Sequence, residues 1–378
     1  MIIEFQVPLR RLTRWREHEI RIYPFTYINL YQPRCGTSSR FCPINGVYNG
    51  LFFETNGYWQ QSSGSINITT TSRGRYTARL QIGPKRYSFS GQFDADGRVD
   101  RQVLRYYDNP LTVQFHVDSD DPDLIVGSVS DGTWTSDLFA DRAVFNGRTS
   151  ISPDTGQYTM AILGDFTSTN NPGGISIGTI AVDKAGRVRF AATMADGTRF
   201  TQATTISKNG QWPLYGPLYR GNGSLYSWIQ INGSPDEDLS GDVTWIKPEM
   251  SRSLFYPEGF AIVETAIGSR YSRPPRGIKV LDLSSASIEF NGGNRDQGIT
   301  NHVTLDSNNR VQNLSANGLR LSISIANGSF SGRASARDTS GTGTRLARSG
   351  CRANREPNGI PMRQESGDSG ENAVHLTS

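Results

Sequence analysis

SINITTTSRGRYTARLQIGPKRYSFSGQF, residues 65–93, settles the fold class. Apolar and polar residues alternate in SINITTT, again in YTARLQI, and again in KRYSFSGQF. The breaks between these runs, SRG and GPK, are turn chemistry. A period of two bounded by Gly and Pro is the pattern of antiparallel strands joined by tight hairpins. The same grammar continues in LTVQFHV (111–117) and DLIVGSV (123–129), with DADG and SDDPD as the breaks. No amphipathic helix of ordinary length interrupts residues 46–332. The chain is predicted to be all-β and antiparallel.

The pattern also repeats. GVYNGLFF from Gly46 aligns with GQYTMAIL from Gly156, and the turn around Gly74 with the turn around Gly186. Tyr87 and Gly97 fall on Phe200 and Gly210, LTVQFHV falls on LYSWIQI, and Trp134 falls on Trp245. Two halves of seven or eight strands each follow, as barrels or as sandwiches, since alternation is the same in both. A weaker third copy begins at VTLDSNNRV (303–311) and crosses an Asn327-Gly328 hairpin turn. The expected division is a basic N-terminal segment 1–45, repeats at 46–150 and 151–267, a partial repeat at 268–332 and a disordered tail at 333–378. GSRYSRPPRG (268–277) reads as a connector, because Pro274 and Pro275 cannot join a ladder.

Composition narrows the function. Of the 378 residues, 40 are Gly, 17 Phe and 15 Tyr, and apolar content is 35%, which suits thin β cores with wet outer faces. The net charge of +4 resides in the ends: residues 1–46 hold seven Arg against three Glu. A nucleic-acid binder carries its basic excess on the folded part, so nucleic acid is not an expected partner. No run of apolar residues is long enough for a transmembrane helix. The first residues, MIIEFQVPLRRLTRWREHEI, lack the order of a secretory signal. Cys35 and Cys42 are spaced to pair or to stand free, and Cys351 is remote from both. The four His residues show no zinc-enzyme spacing, no GxSxG elbow or Walker loop is present, and no carboxylate pair is singled out for glycoside hydrolysis.

Two stretches remain as candidate sites. DSDDPD supplies Asp118, Asp120, Asp121 and Asp123, hard oxygen donors that a calcium ion accepts; a solvated turn is the plain alternative. DADGRVD (94–100) imitates a calcium loop, but Arg98 and Arg105 stand where ligands are required, so it reads as a turn. TTISKNGQWPLYGPLYRGNGSLYSWIQI (204–231) concentrates aromatics. Its strand phase places Leu225, Ser227, Ile229 and Ile231 on one face and Tyr226 and Trp228 on the other. Trp212, Tyr226 and Trp228 are therefore candidate carbohydrate-stacking residues, with packing under a neighbouring sheet as the competing reading. His116 sits at the polar phase of its strand and is expected to face solvent.

GVYNGLFFE, GRYTARLQIGPKRYSFSGQFDADG, GTWTSDLFADR, SKNGQWPLYGPLYRGNGSLYSWI and DLSGDVTWIKP together resemble the Gly- and aromatic-rich β-repeat module of large exported bacterial surface proteins. The resemblance spans Gly46 to Gly332. It implies an extracellular or cell-surface, non-catalytic structural or adhesive module within a longer polypeptide. Cell-surface glycans or sister β modules are then the implied partners. The chain departs from the pattern in lacking a leader and in losing the alternation after Gly332, so it reads as a fragment, as a disrupted reading frame would produce. A carbohydrate-binding module is the alternative function, with a glycoside-active enzyme behind it.

Overall fold

The structure is a computed structural model that describes residues 43–165, 171–231, 238–281, 283–291, 299–316 and 318–333. Short strands at 2–3, 335–337, 343–345, 349–352, 362–363 and 373–377 are also described. Cys35 and Cys42, most of residues 1–45 and the larger part of the tail after 333 lie outside these residues. Where the tail is described it forms short strands rather than the disorder expected of it, and the strand at 373–377 pairs with Ser285–Asn291.

The first half contributes eight strands: β1 (Gly46–Phe53), β2 (Gly64–Thr70), β3 (Arg75–Ile82), β4 (Lys85–Gln92), β5 (Arg98–Val103), β6 (Leu111–Val117), β7 (Leu124–Ser130) and β8 (Thr135–Arg142). Their order in the sheet is β4-β3-β2-β1-β8-β7-β6-β5. This is an up-and-down meander whose first and last strands pair, Tyr48 opposite Arg142 and Phe53 opposite Asp137. The sheet is thereby nearly closed into a barrel, open only between β4 and β5. The second half repeats this arrangement. Its strands are β9 (Gly156–Ile162), β10 (Ser176–Val182), β11 (Arg187–Thr193), β12 (Arg199–Thr205), β13 (Gln211–Leu218), β14 (Gly223–Ile231), β15 (Leu239–Lys247) and β16 (Phe260–Tyr271). Their order is β12-β11-β10-β9-β16-β15-β14-β13, with the seam again after the fourth strand. The alternation left open by sequence is thus resolved as two barrels.

Inward residues of each barrel form its core. The first is filled by Tyr48, Phe52, Ile68, Tyr76, Leu80 and Phe115 with their neighbours, and rings of Tyr76, Phe93 and Phe115 meet edge to face. The second is built around Tyr158, Phe190, Trp212, Leu225 and Trp245. Burying such side chains contributes about 1.5–3 kcal/mol each.

The aligned turns are built alike. The Gly74 amide donates to Thr71 O and the Gly186 amide to Asp183 O, both glycines at positive φ. In the third copy, Asn309 takes the same left-handed position (φ 61) and its amide donates to Asp306 O. Asn is the residue best suited to replace Gly there. DADGRVD is also a turn: Asp94 Oδ1 accepts the amides of Asp96 and Arg98, and Gly97 has φ 75. One alignment fails: Trp245 lies inside β15, whereas Trp134 follows β7, in the loop before β8.

The second seam has its own chemistry. Gln202 of β12 reaches across it, its Nε2 donating to Pro213 O (2.9 Å) and its Oε1 accepting the Trp212 indole N–H (3.0 Å). Phe200 closes the gap against Gly216, where a β-carbon would lie 2.7 Å from its ring.

β16 runs on through Tyr271, so the connector expected from 268 begins four residues later. Beyond it, β17 (Ser285–Asn291), β18 (Ile299–Leu305) and β19 (Val311–Asn313) form a small sheet, followed by the β20 (Arg320–Ile323) and β21 (Ser329–Arg333) hairpin. Ala286, Ile288 and Val303 of this third unit cover the outward Ala161 and Ile177 of the second barrel. Among the described residues no helix is long and apolar enough to cross a membrane.

Glu264 is the anomaly of the second barrel. Its phase on β16 matches the inward Ile262 and Ala266, and it is 6% exposed with neither carboxylate oxygen hydrogen-bonded. Burial, and then the nearby Asp165 charge, push its pKa up to about 8. The folded state therefore holds a proton that the unfolded chain releases near pH 4.5. Stability falls as pH rises between these values, by about 1.4 kcal/mol per unit at most. Between pH 6.5 and 8 wild type should lose about 1.5 kcal/mol relative to Glu264→Gln. Denaturant unfolding of both proteins across that window checks this, and parallel pH profiles would refute it.

Candidate binding face

The site begins with the contact between the barrels. β1 alternates Tyr48 and Phe52 inward, which leaves Leu51 and Phe53 pointing out. They meet Tyr215, Tyr226 and Ile246 from the outer surface of the second barrel, with Trp228 against the same cluster. The rings of Phe53 and Tyr226 lie 5.4 Å apart. At one end, the Gly83 amide in the β3–β4 turn donates to Tyr215 Oη (2.7 Å), and Gln60 Nε2 donates to Gly221 O (3.1 Å). Gly221 (φ 92) is required there, because a β-carbon would sit 2.3 Å from Pro84 Cδ. Midway, Asn49 Nδ2 donates to Thr205 Oγ1 (2.7 Å). At the other end, Lys208 in the β12–β13 turn pairs with Asp121 (2.6 Å) and Asp123 (3.2 Å) in the β6–β7 turn.

These contacts correct both candidate sites. Trp212 is fully buried inside the barrel, and Tyr226 is 3% exposed between the barrels. Trp228 is half-buried on the same cluster. No open ring platform is left for a sugar, because the first barrel covers the face that phase alone assigned to solvent. The acidic loop is occupied by its own protein. Asp118 Oδ1 accepts the amides of Asp120 and Asp121, Asp123 pairs with Arg142 (2.6 Å), and Asp121 and Asp123 share Lys208. Burial would raise the Asp121 carboxyl, but Lys208 and the Asp123 amide outweigh it and hold its pKa low. Among the described residues no group of three or more His, Cys, Asp or Glu side chains could hold a metal ion. Beside the loop, burial and then the Asp121 charge push Asp141 up to about 6. His116 is exposed, as its phase required.

The paired ends set the direction of the barrels. Gly83 meets Gly221 at one end and Asp121 meets Lys208 at the other, so the barrels stand side by side with the same polarity. The loops after β1, β3, β5 and β7 therefore open on the same side as those after β9, β11, β13 and β15. Among the described residues the four most exposed large apolar side chains lie on this side, Tyr107 (93%), Tyr106 and Leu104 (80% each) and Leu254 (76%), and Trp59 and Tyr58, each about half exposed, join them.

The β5–β6 loop that carries three of them is pinned. Arg105 pairs with Asp131 of the β7–β8 loop (2.8 Å) with both side chains largely buried, and Lys85 pairs with Asp108 (2.8 Å). Tyr107 is held at φ 73, a conformation uncommon for a bulky residue. A polar cleft of about 360 Å³ opens between the β1–β2 and β7–β8 loops, lined by Glu54, Asn56, Thr133, Trp134, Thr135 and Asp137. The run VLRYYDNP carries no periodic signal, so these aromatics do not stand out in the sequence.

On the same side, the second barrel is stoppered by a buried network. Tyr219 Oη donates to Asp196 (2.6 Å) and accepts the Trp245 indole N–H (3.1 Å). Lys247 Nζ donates to Asp196 (3.4 Å), Ser253 Oγ (2.9 Å) and Phe255 O (2.6 Å). Lys247 and Asp196 are almost fully buried, so this mouth is closed.

No family model matches the chain, and no curated protein matches it. Among solved structures, it is similar to intact Ap-TbpB with its N and C lobes, at 8% identity over 88% of this chain and 76% of that chain, TM-score 0.22. A mutant of the vaccine antigen transferrin binding protein B from Haemophilus parasuis Hp5 gives 7% identity over 88% and 75%, TM-score 0.22. A protein of unknown function from the DUF3598 family, from Nostoc punctiforme, gives 11% over 61% and 96%, TM-score 0.20. None of these scores reaches the level at which a shared fold follows.

Tyr215→Phe removes the acceptor of a buried amide and should cost about 1–3 kcal/mol. An unchanged urea midpoint would show that the Gly83 amide finds another partner. Because Lys208 and Arg142 already pair with Asp121 and Asp123, millimolar calcium should leave the melting temperature unchanged in calorimetry. A calcium-dependent rise would restore the cation reading.

Proposed function

We propose that this chain is a non-catalytic structural and adhesive β module of an exported or cell-surface bacterial protein. The observation that carries the reading is the docking of two like-oriented barrels, which holds the loops of both on one side and the most exposed apolar side chains with them. Exposed apolar groups of this size, displayed on pinned loops, mark interaction surfaces. The loops are positioned by filled barrels, the usual division of labour between scaffold and binding surface. The resemblance of residues 46–332 to β-repeat modules of exported proteins supports the surface location. Sister modules or surface glycans are the partners that fit it.

The location is tested by antibody labelling of the bacterium that encodes the chain. Intact cells should label as strongly as lysed ones. Labelling that requires lysis would overturn it. Absence of catalysis is tested separately, by incubating purified protein with polysaccharides and measuring new reducing ends; none should appear above a boiled control.

A further inference from the structure

The β5–β6, β7–β8 and β1–β2 loops are consecutive around the rim of the first barrel, because the sheet order runs β5, β6, β7, β8, β1, β2. Along this arc the surface changes character twice. It begins with Tyr106 and Tyr107, whose rings meet edge to face at 4.3 Å. It passes over the polar cleft of Glu54, Asn56, Thr133, Thr135 and Asp137. It ends at Tyr58 and Trp59, both exposed. The Arg105–Asp131 pair joins the first loop to the second, and the cleft joins the second to the third.

We infer that this arc is a binding groove for an extended neutral oligosaccharide. The inference rests on the reading of the chain as a binding module and names its ligand. A pyranose has apolar C–H faces and a rim of hydroxyls. Exposed tyrosine and tryptophan rings match the faces, and a cleft of carboxylates, an amide and hydroxyls matches the rim. A bilayer fits less well, because Glu54 and Asp137 would be pressed toward it without a counter-charge in the cleft lining. The same two carboxylates disfavour acidic polysaccharides. The preset φ of Tyr107 and the pinned loop lower the entropy that binding would otherwise cost.

The test is native electrophoresis of the whole chain in gels containing mixed-linkage β-glucan, xylan or galactomannan, with alginate and polygalacturonate as acidic controls. Wild type should be retarded by at least one neutral polymer and by neither acidic one. Y106A/Y107A should weaken that retardation by about tenfold or more, the scale of losing two stacked rings. Trp59→Ala should weaken it as well. The melting temperature of the double variant should stay at the wild-type value, since both rings are exposed. No retardation by any neutral polymer overturns the inference, as does retardation that the double variant retains. Sedimentation with phosphatidylcholine vesicles, lost in the double variant and without glycan binding, also overturns it in favour of a lipid surface. Release of reducing ends by a protein that binds as expected would instead sink the non-catalytic reading and leave the groove standing.

Discussion

Leu51, Phe52 and Phe53 are three consecutive apolar residues on a strand whose side chains alternate sides. Only Phe52 can enter the barrel. The other two must be dried from outside, and the second barrel does this with Tyr215, Tyr226 and Ile246. The rest of the architecture follows from that demand. Covering β1 brings the seam side of the second barrel against the first. That contact fixes their polarity, places Lys208 over the acidic loop, and consumes the aromatic run that otherwise resembles a binding platform.

Much of the fold was legible because it is local. Strand phase, hairpin turns and the two-fold repetition all come from neighbouring residues, and the third copy could be read through the substitution of Asn309 for a turn glycine. Closure was not legible, because pairing of β1 with β8 joins residues about 90 apart without altering the alternation of either strand. The candidate sites failed for a related reason. Phase says which side of a strand Tyr226 and Trp228 occupy, but not what lies over that side. Trp212 falls on the inward phase of β13, which became visible only once the barrel was closed. The charges of Asp121 and Asp123 are answered by Lys208, 87 residues away from Asp121. Conversely, Leu104, Tyr106 and Tyr107 stand out only through their exposure, a property that no local pattern encodes.

The two barrels use the same strand plan for different ends. In the second, the loop side is sealed by the Asp196–Lys247–Tyr219–Trp245 network, where each buried polar group has a partner and so avoids the cost of burying it alone. In the first, the corresponding loops stay open and carry apolar side chains. The two barrels thus share a scaffold and differ at their rims, one sealed by buried polar pairs and the other open.

The proline pair on β13 bears on how such a chain avoids error while folding. The Pro213 carbonyl faces the seam, where Gln202 donates to it, and Pro217, four residues on, shares its orientation. The positions of both missing N–H groups therefore lie on the unpaired edge. Tandem copies of one meander offer each other near-identical strands, and an exposed edge invites a strand from the wrong copy. An edge that cannot donate at two alternate points is a poor template for that exchange. What looks like a gap in the second barrel is thus its safeguard against being completed by its neighbour.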